Sequence, residues 1–135
     1  MAQLKRVEVV AGLIFDQDRL LVCQRSSRAS FPLKWEFPGG KLEQGERYEG
    51  ALRRELKEEL GIEAGRLSEL FRHEHLYPKT ARVNLRFFRV EDYSGEVKSL
   101  VFQQIKWVPI KDLMQIDFLD GDLPLVRKLV SSHEE

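Results

Sequence analysis

Cysteine, excess charge and long apolar runs are all scarce in this chain, and each shortage excludes a class of protein. Cys23 is the only cysteine, so no disulfide can form within the chain. Lysine plus arginine equals aspartate plus glutamate at 22 each, which argues against a protein that binds nucleic acid through a basic excess. No apolar run approaches the roughly 20 residues of a membrane-spanning helix, and the N-terminus lacks the unbroken apolar region of a signal peptide. These features predict a cytoplasmic protein without membrane contact or stable nucleic-acid binding.

The length of 135 residues fits one domain, residues 1–135, and 42% hydrophobic residues are enough for an ordinary buried core. Apolar segments predict strands, the first two of which are expected to pair as a hairpin. The predicted strands cover residues 7–15, 19–24, 35–37, part of 67–77, 82–90 and 102–109. A short helix is predicted at 110–114, and a longer one begins near Asp122 and ends in a frayed tail at 131–135. Strands with two good helices predict an α/β or α+β domain.

The stretch from Gly40 to Ile62, GKLEQGERYEGALRRELKEELGI, begins as a glycine-containing loop and continues as a helix. Helix formers follow Glu46, and Gly61 is expected to end the helix. Helical spacing places Leu52, Leu56 and Leu60 in one apolar stripe, and Glu55, Glu58 and Glu59 on the adjoining face. The acidic face has two interpretations. It is either a solvated surface neutralised by nearby basic residues, or a site for a hard divalent cation such as Mg²⁺.

This stretch resembles the Nudix box, in which G, five residues, E, seven residues, R-E, an aliphatic, one residue, E-E, one residue, G and an aliphatic follow in order. The fixed places are held here by Gly40, Glu46, Arg54, Glu55, Leu56, Glu58, Glu59, Gly61 and Ile62. The preceding segment WEFPGGK, residues 35–41, is similar to the corresponding segment of the MutT branch, which cleaves nucleoside triphosphates. The resemblance favours the cation-site interpretation.

The resemblance implies an α/β/α sandwich, with a mixed curved sheet between the box helix and the C-terminal helix. In the MutT branch, water attacks the β-phosphorus of a nucleoside triphosphate and releases a monophosphate and pyrophosphate. The implied cofactor is Mg²⁺ or Mn²⁺, because a metal ion neutralises the phosphates and lowers the pKa of a bound water. The implied partner is a small nucleotide, and the chain is expected to be a monomer or a homodimer.

The resemblance to the Nudix pattern implies that three residues of this chain are metal ligands: Glu55, Glu58 and Glu59. The carbonyl group of Gly39 is expected to complete the ligand set, and Glu55 is also a candidate general base. Arg54 is expected to hold a box carboxylate in place. Glu46 has two interpretations, an indirect support of the metal and a first-turn glutamate that the helix dipole favours.

The residues expected to bind the substrate are Arg25, Phe37, Lys41, Arg82 and Asp122. Arg25 and Lys41 match basic positions that contact phosphates in the MutT branch, and ordinary surface cations are the alternative. Phe37 matches a phenylalanine that lines the base pocket, with a plain core role as the alternative. Arg82 is expected in the same pocket.

Asp122 stands where MutT has an asparagine that reads 8-oxoguanine, and a helix cap is its alternative role. An ionised aspartate only accepts hydrogen bonds, whereas asparagine also donates them. The substrate is therefore open between 8-oxo-dGTP, the first choice, and a cytosine nucleotide.

One departure from the MutT-like pattern concerns the general base. Such enzymes often carry a further carboxylate several residues before the tryptophan of the late strand, but residues 101–106, before Trp107, contain no acid. Glu96 is the nearest acid upstream, so Glu55 and Glu96 are the two candidates and the identity of the base stays open. Two other classes of protein stay open. One is an RNA 5′-end pyrophosphohydrolase, which would need a basic surface for the nucleotides that follow the 5′ end. The other is a catalytically silent nucleotide-binding module, which the intact box disfavours.

Overall fold

The computed structural model describes residues 5–78 and 81–134 of the chain. Within these residues it has two α-helices, α1 (Tyr48–Leu60) and α2 (Leu123–Glu134), and 3₁₀ helices at Ile110–Gln115 and Asp120–Asp122. The strands are β1 (Lys5–Leu13), β2 (Phe15–Asp16), β3 (Arg19–Gln24), β4 (Trp35–Glu36), β5 (Gly39–Lys41), β6 (Glu63–Ala64), β7 (Leu67–Tyr77), β8 (Ala81–Val90), β9 (Tyr93–Ser94) and β10 (Gln104–Pro109).

The longest strands form a mixed sheet with the order β5–β1–β8–β7. β1 runs antiparallel to β5 and parallel to β8. A second sheet has the order β10–β3–β2, with β4 also paired to β3, and β6 pairs with β9. The first sheet therefore places the glycine-rich strand β5 directly beside β1.

The hairpin predicted from residues 7–15 and 19–24 is only partly correct. Phe15 does pair with Leu20 of β3. β1, which holds most of the predicted first strand, instead joins the other sheet and runs parallel to β8. A periodicity argument cannot detect this change of sheet, because the partner strand lies far along the chain.

Alternate residues of the strands face two separate apolar layers. In β1, Ala11 and Leu13 belong to the layer that contains α2, whereas Val10 belongs to the layer that contains α1. The helices contribute these buried side chains: Leu52, Leu56 and Leu60 from α1, and Leu125, Val126 and Val130 from α2. The expected α/β/α arrangement is therefore confirmed, although the strands form separate hydrogen-bonded sheets rather than one.

The box helix α1 has the predicted boundary at its C-terminus. Gly61 follows it in the left-handed conformation, with φ of 72°, and donates its N–H to the carbonyl of Lys57. Glycine adopts this conformation without the steric cost that a β-carbon brings. The three leucines of the stripe are completely buried, which leaves the acidic face of α1 for the site.

The C-terminal helix is longer than predicted. The tail expected to fray from 131 onwards continues α2 through Glu134, and Glu135 lies outside the described residues. The last predicted strand begins at Gln104 rather than at 102, and the predicted turn at 78–81 includes Lys79 and Thr80, which are also outside them. None of the helices in the described part of the chain is long and apolar enough to cross a membrane.

Candidate active site

α1 brings two of its carboxylates against β5. Glu55 packs directly on Gly40, because a β-carbon at position 40 would lie only 2.6 Å from Cδ of Glu55. The N–H of Gly39 donates a hydrogen bond of 3.0 Å to Oε1 of Glu59, and a β-carbon at position 39 would collide with the carbonyl oxygen of Val10. Gly40 therefore lets Glu55 approach the backbone of β5, whereas Gly39 lets β5 lie close to the backbone of β1.

Arg54 is the centre of an ionic network beside these carboxylates. Its Nε and Nη2 each donate a hydrogen bond of 2.8 Å to Glu46. Its Nη1 donates to Glu55 at 2.9 Å and to Glu58 at 3.3 Å. The hydrogen bonds from Arg54 are the main reason that the pKa of Glu46 falls to about 2. Glu46 is thus joined to two of the box carboxylates through one guanidinium.

Three carboxyl groups are crowded between α1 and β4. Burial, followed by the charges of Glu55 and Glu36, raises the pKa of Glu59 to about 9. Burial also raises the pKa of Glu55 and of Glu36. Crowded oxygen donors are the ligands that Mg²⁺ and Mn²⁺ prefer, and a cation would relieve their repulsion. The residues fit such an ion, although within 5–78 and 81–134 no three His, Cys, Asp or Glu side chains already stand in a metal-holding arrangement.

A cavity of about 510 Å³ adjoins these carboxylates. Its lining crosses the first sheet from Lys41 on β5 to Tyr77 on β7, which is three strand spacings or about 14 Å. The charged residues in the lining are Arg25, Glu36, Lys41, Glu59 and Asp122. With Phe37, which also lines it, the cavity collects four of the five residues expected to bind the substrate together with one box carboxylate.

Arg82 is the one expected substrate-binding residue that the structure does not bring to the cavity. Ala81 and Val83 line the cavity, and because side chains alternate along a strand, Arg82 lies on the opposite face of β8. Its Nε lies 3.6 Å from a carboxylate oxygen of Glu74, and both side chains are half exposed. The sequence did not reveal the face, because a shift of one residue in register exchanges the two faces of a strand.

Asp122 lines the cavity although its carboxyl group is almost completely buried, with 5% of the residue exposed. Its Oδ2 accepts a hydrogen bond of 3.3 Å from the N–H of Phe37. Burial, and then the charge of Glu36, raises the pKa of Asp122 to about 8. At neutral pH this carboxyl group is therefore mostly protonated and can donate as well as accept. The residue type alone suggests the ionised form, which accepts hydrogen bonds and does not donate them.

Comparison with known proteins decides the family. The NUDIX domain model matches residues 5–129 of the chain. The chain belongs to the Nudix family. A CTP pyrophosphohydrolase of Escherichia coli (strain K12) is 31% identical over 95% of this chain and 94% of its own. An 8-oxo-dGTP diphosphatase of the same organism is 32% identical over 93% of this chain and 98% of its own.

The fold agrees with that assignment. The solution structure of the E. coli ORF135 protein matches with a TM-score of 0.83 at 31% identity, covering 95% of this chain and 91% of that one. The chain is a Nudix hydrolase, a nucleotide pyrophosphohydrolase, and Nudix hydrolases generally use a divalent metal.

Arg25 lines the cavity of this Nudix hydrolase, but its guanidinium is already engaged. Its Nε donates to the carbonyl of Ser30 at 2.7 Å, and its Nη2 donates to the Ser30 hydroxyl at 2.9 Å. Its Nη1 lies 3.2 and 3.1 Å from the two carboxylate oxygens of Glu36. These contacts give Arg25 a structural task, because they hold the loop after β3 against β4, before any phosphate is bound.

Glu36 is a residue of the site that the sequence pattern did not reveal. Its neighbours Trp35 and Phe37 are both buried in the core, so alternation along the chain turns Glu36 to the other side. There it pairs with Arg25 and adds negative charge beside Asp122 and Glu59. The signal in the sequence that could have indicated Glu36 is its position as a charged residue between two aromatic residues, Trp35 and Phe37.

Three further candidate acids, Glu55, Glu58 and Glu96, are not among the residues that line the cavity. The side chain of Glu58 is 58% exposed and contacts Arg54. Glu96 is exposed in the segment after β9, where its neighbour Gly95 lies against Gly61 at the end of α1. Of the two candidate bases, Glu55 is the one that packs on Gly40 of β5.

Proposed function

We propose that this Nudix hydrolase cleaves a deoxynucleoside triphosphate to the monophosphate and pyrophosphate, with 8-oxo-dGTP as its preferred substrate and Mg²⁺ (or Mn²⁺) as its cofactor. One observation carries the proposal. Glu59 and Gly39 line the same cavity as Phe37 and Asp122. A triphosphate beside the box carboxylates can therefore place its base against Phe37 without leaving the cavity.

Glu55, Glu58, Glu59 and the carbonyl of Gly39 are the groups that would hold the metal. When bound, the ion supplies charge neutralisation for the phosphates and a more acidic water. Arg54 orients Glu55 and Glu58, and Lys41, which lines the cavity from β5, contacts the phosphate chain. Glu55 takes the proton of the attacking water. The new bond forms at the β-phosphorus, and the bond from that phosphorus to the bridging oxygen of the α-phosphate breaks.

The base is selected by Phe37 and Asp122. A protonated Asp122 offers one donor and one acceptor, as asparagine does, and the edges of guanine-type bases and of cytosine each present a donor beside an acceptor. The apolar part of the lining favours the larger base, because a bicyclic ring buries more apolar area than a pyrimidine. Removal of 8-oxo-dGTP would give the enzyme a sanitising role in DNA repair.

A cytosine nucleotide is the second candidate. The similarity of the chain to a CTP pyrophosphohydrolase and to an 8-oxo-dGTP diphosphatase is almost equal, so identity alone does not separate the two.

Steady-state kinetics on a panel of nucleotides tests this proposal. We expect the highest kcat/KM for 8-oxo-dGTP among 8-oxo-dGTP, dGTP, dCTP and CTP, with pyrophosphate as the released product. A higher value for CTP or dCTP would support the second candidate. Release of orthophosphate from every nucleotide would contradict both.

A further inference from the structure

The loop between β3 and β4 carries an aromatic side chain, Phe31, that has no role in the reaction proposed above. Phe31 lines the cavity, and 52% of this residue is exposed. Its ring lies 5.7 Å, between centroids, from the ring of Tyr77, which lines the cavity from β7. The two aromatic rings thus meet at the cavity from separate elements of the fold.

Tyr77, the aromatic neighbour of Phe31, lies close to the group that we propose as the reader of the base. A β-carbon on Gly121 would lie 3.5 Å from the hydroxyl of Tyr77, so Tyr77 packs beside the residue that precedes Asp122. The charge of Asp122 is also among the causes that raise the pKa of Tyr77. Tyr77 therefore brings the pair to the side of the cavity where Gly121 and Asp122 lie.

The backbone of the loop holds Phe31 in an unusual conformation. Phe31 has φ of 49° and Leu33 has φ of 63°, both in the left-handed region that bulky residues rarely adopt. Such conformations persist only where surrounding contacts determine them, and they cluster at ligand-binding segments. Here the contacts come from Arg25, which bonds Ser30 through its side chain and the backbone of Leu33 and Lys34 through its own backbone.

We propose that Phe31 is a base-contacting residue, whose ring covers the face of the nucleobase while Asp122 reads its edge. This inference rests on the proposed function of the same cavity. The exposed face of Phe31 is apolar surface that a flat base would remove from water, and stacking of a base on an aromatic side chain is favourable for any base. Arg25 acts as a positioning residue for Phe31, because its side chain fixes the neighbouring Ser30.

The chain supplies a matched control for this proposal. Leu33 shares the loop and the left-handed backbone, and 45% of it is exposed, but it is not among the residues that line the cavity. Phe31→Ala and Leu33→Ala therefore remove similar exposed apolar surface from equally unusual positions. Phe31→Gly adds a variant that tolerates φ of 49° without strain, and Phe31→Tyr keeps the ring.

The experiment measures KM and kcat for the best nucleoside triphosphate, and the affinities for a deoxynucleoside monophosphate and for inorganic pyrophosphate. We expect Phe31→Ala and Phe31→Gly to raise KM and weaken monophosphate binding about 10-fold or more, the range of one base stacked on an aromatic. kcat and pyrophosphate affinity should stay within about twofold of the wild type, and Phe31→Tyr and Leu33→Ala should behave like the wild type.

Equal losses in Phe31→Ala and Leu33→Ala, or equal loss of monophosphate and pyrophosphate binding, would overturn the inference. The failure of the proposed function looks different. In that case the wild type turns over none of the triphosphates, while the monophosphate binding of Phe31→Ala is still selectively weakened.

Discussion

Arg54 binds Glu46 through two parallel hydrogen bonds, each 2.8 Å long. The same guanidinium uses Nη1 to hold Glu55 and Glu58. Bidentate arginine–carboxylate pairs fix geometry as well as charge. Glu46 therefore controls where Arg54 lies, and through Arg54 it controls the positions of two proposed metal ligands.

Glu46→Gln should consequently impair catalysis, although Glu46 is not itself a proposed metal ligand. Loss of one member of such a supporting pair typically lowers activity or metal affinity about 10- to 100-fold. Glu43→Gln is the matched control, since Glu43 also lies 3.2 Å from Nε of Arg54 but its side chain is 62% exposed. Measurement of kcat and of the Mg²⁺ concentration for half-maximal activity distinguishes the Glu46→Gln variant from the Glu43→Gln variant. Similar small effects in both variants would reject the positioning role of Glu46.

Removal of a box carboxylate should abolish metal-dependent turnover. We expect Glu58→Gln to lower kcat by orders of magnitude with little change in melting temperature, because Glu58 is exposed and outside the core. A chelator should abolish the activity of the wild type. Glu63→Gln removes a comparably exposed carboxylate that pairs with Lys57, and it should retain normal activity. Near-normal turnover by Glu58→Gln, or by the wild type in chelator, is the result that rules out this site.

The identity of the general base is tested by comparing two glutamates. Glu55 packs on β5, whereas Glu96 is exposed after β9. We expect Glu55→Gln to lower kcat about 100- to 10,000-fold, the usual contribution of a general base, and to remove the acidic limb of the pH–rate profile. Glu96→Gln should leave that limb in place. Equal losses in the two variants would instead give Glu96 a share in the reaction.

Asp122 should make stability depend on pH. Burial raises its pKa from 3.8 to about 8, so the folded protein keeps a proton that the unfolded chain releases. The contribution of Asp122 to stability is then fully present below about pH 3.8 and is lost as pH rises through about 8. Relative to Asp122→Asn, the free energy of unfolding of the wild type should fall by more than about 1.4 kcal/mol from pH 5 to pH 8, the equivalent of one pKa unit.

Denaturant unfolding at several pH values checks this, with Asp120→Asn as the control because Asp120 is exposed two residues away. A constant difference between the wild type and Asp122→Asn across the range would show that Asp122 is ionised in the folded protein.

The sequence was informative wherever one element is specified by its own residues. The apolar stripe, the acidic face and the glycine end of α1 follow from local spacing, and Gly61 ends the helix as expected. The α2 side of the sandwich was also visible in the apolar residues after Asp122.

The sequence was uninformative wherever distant residues decide the outcome. The parallel pairing of β1 with β8, the face on which Arg82 lies and the contact of Arg25 with Glu36 depend on strands brought together by the fold. The protonation of Asp122 depends on burial, which the residue type alone does not reveal.

The central claim is that one cavity combines phosphate chemistry at the box carboxylates with base selection at Asp122. The most direct test is kcat/KM for 8-oxo-dGTP, dGTP and dCTP with the wild type, Asp122→Ala, Asp122→Asn and Glu58→Gln. We predict that Asp122→Ala raises KM for the preferred nucleotide and flattens the ranking, whereas Asp122→Asn, which keeps one donor and one acceptor, preserves the ranking. Glu58→Gln should lower kcat for all three and preserve the ranking. If Asp122→Ala keeps the wild-type ranking and loses only thermal stability, Asp122 does not read the base and the account is contradicted.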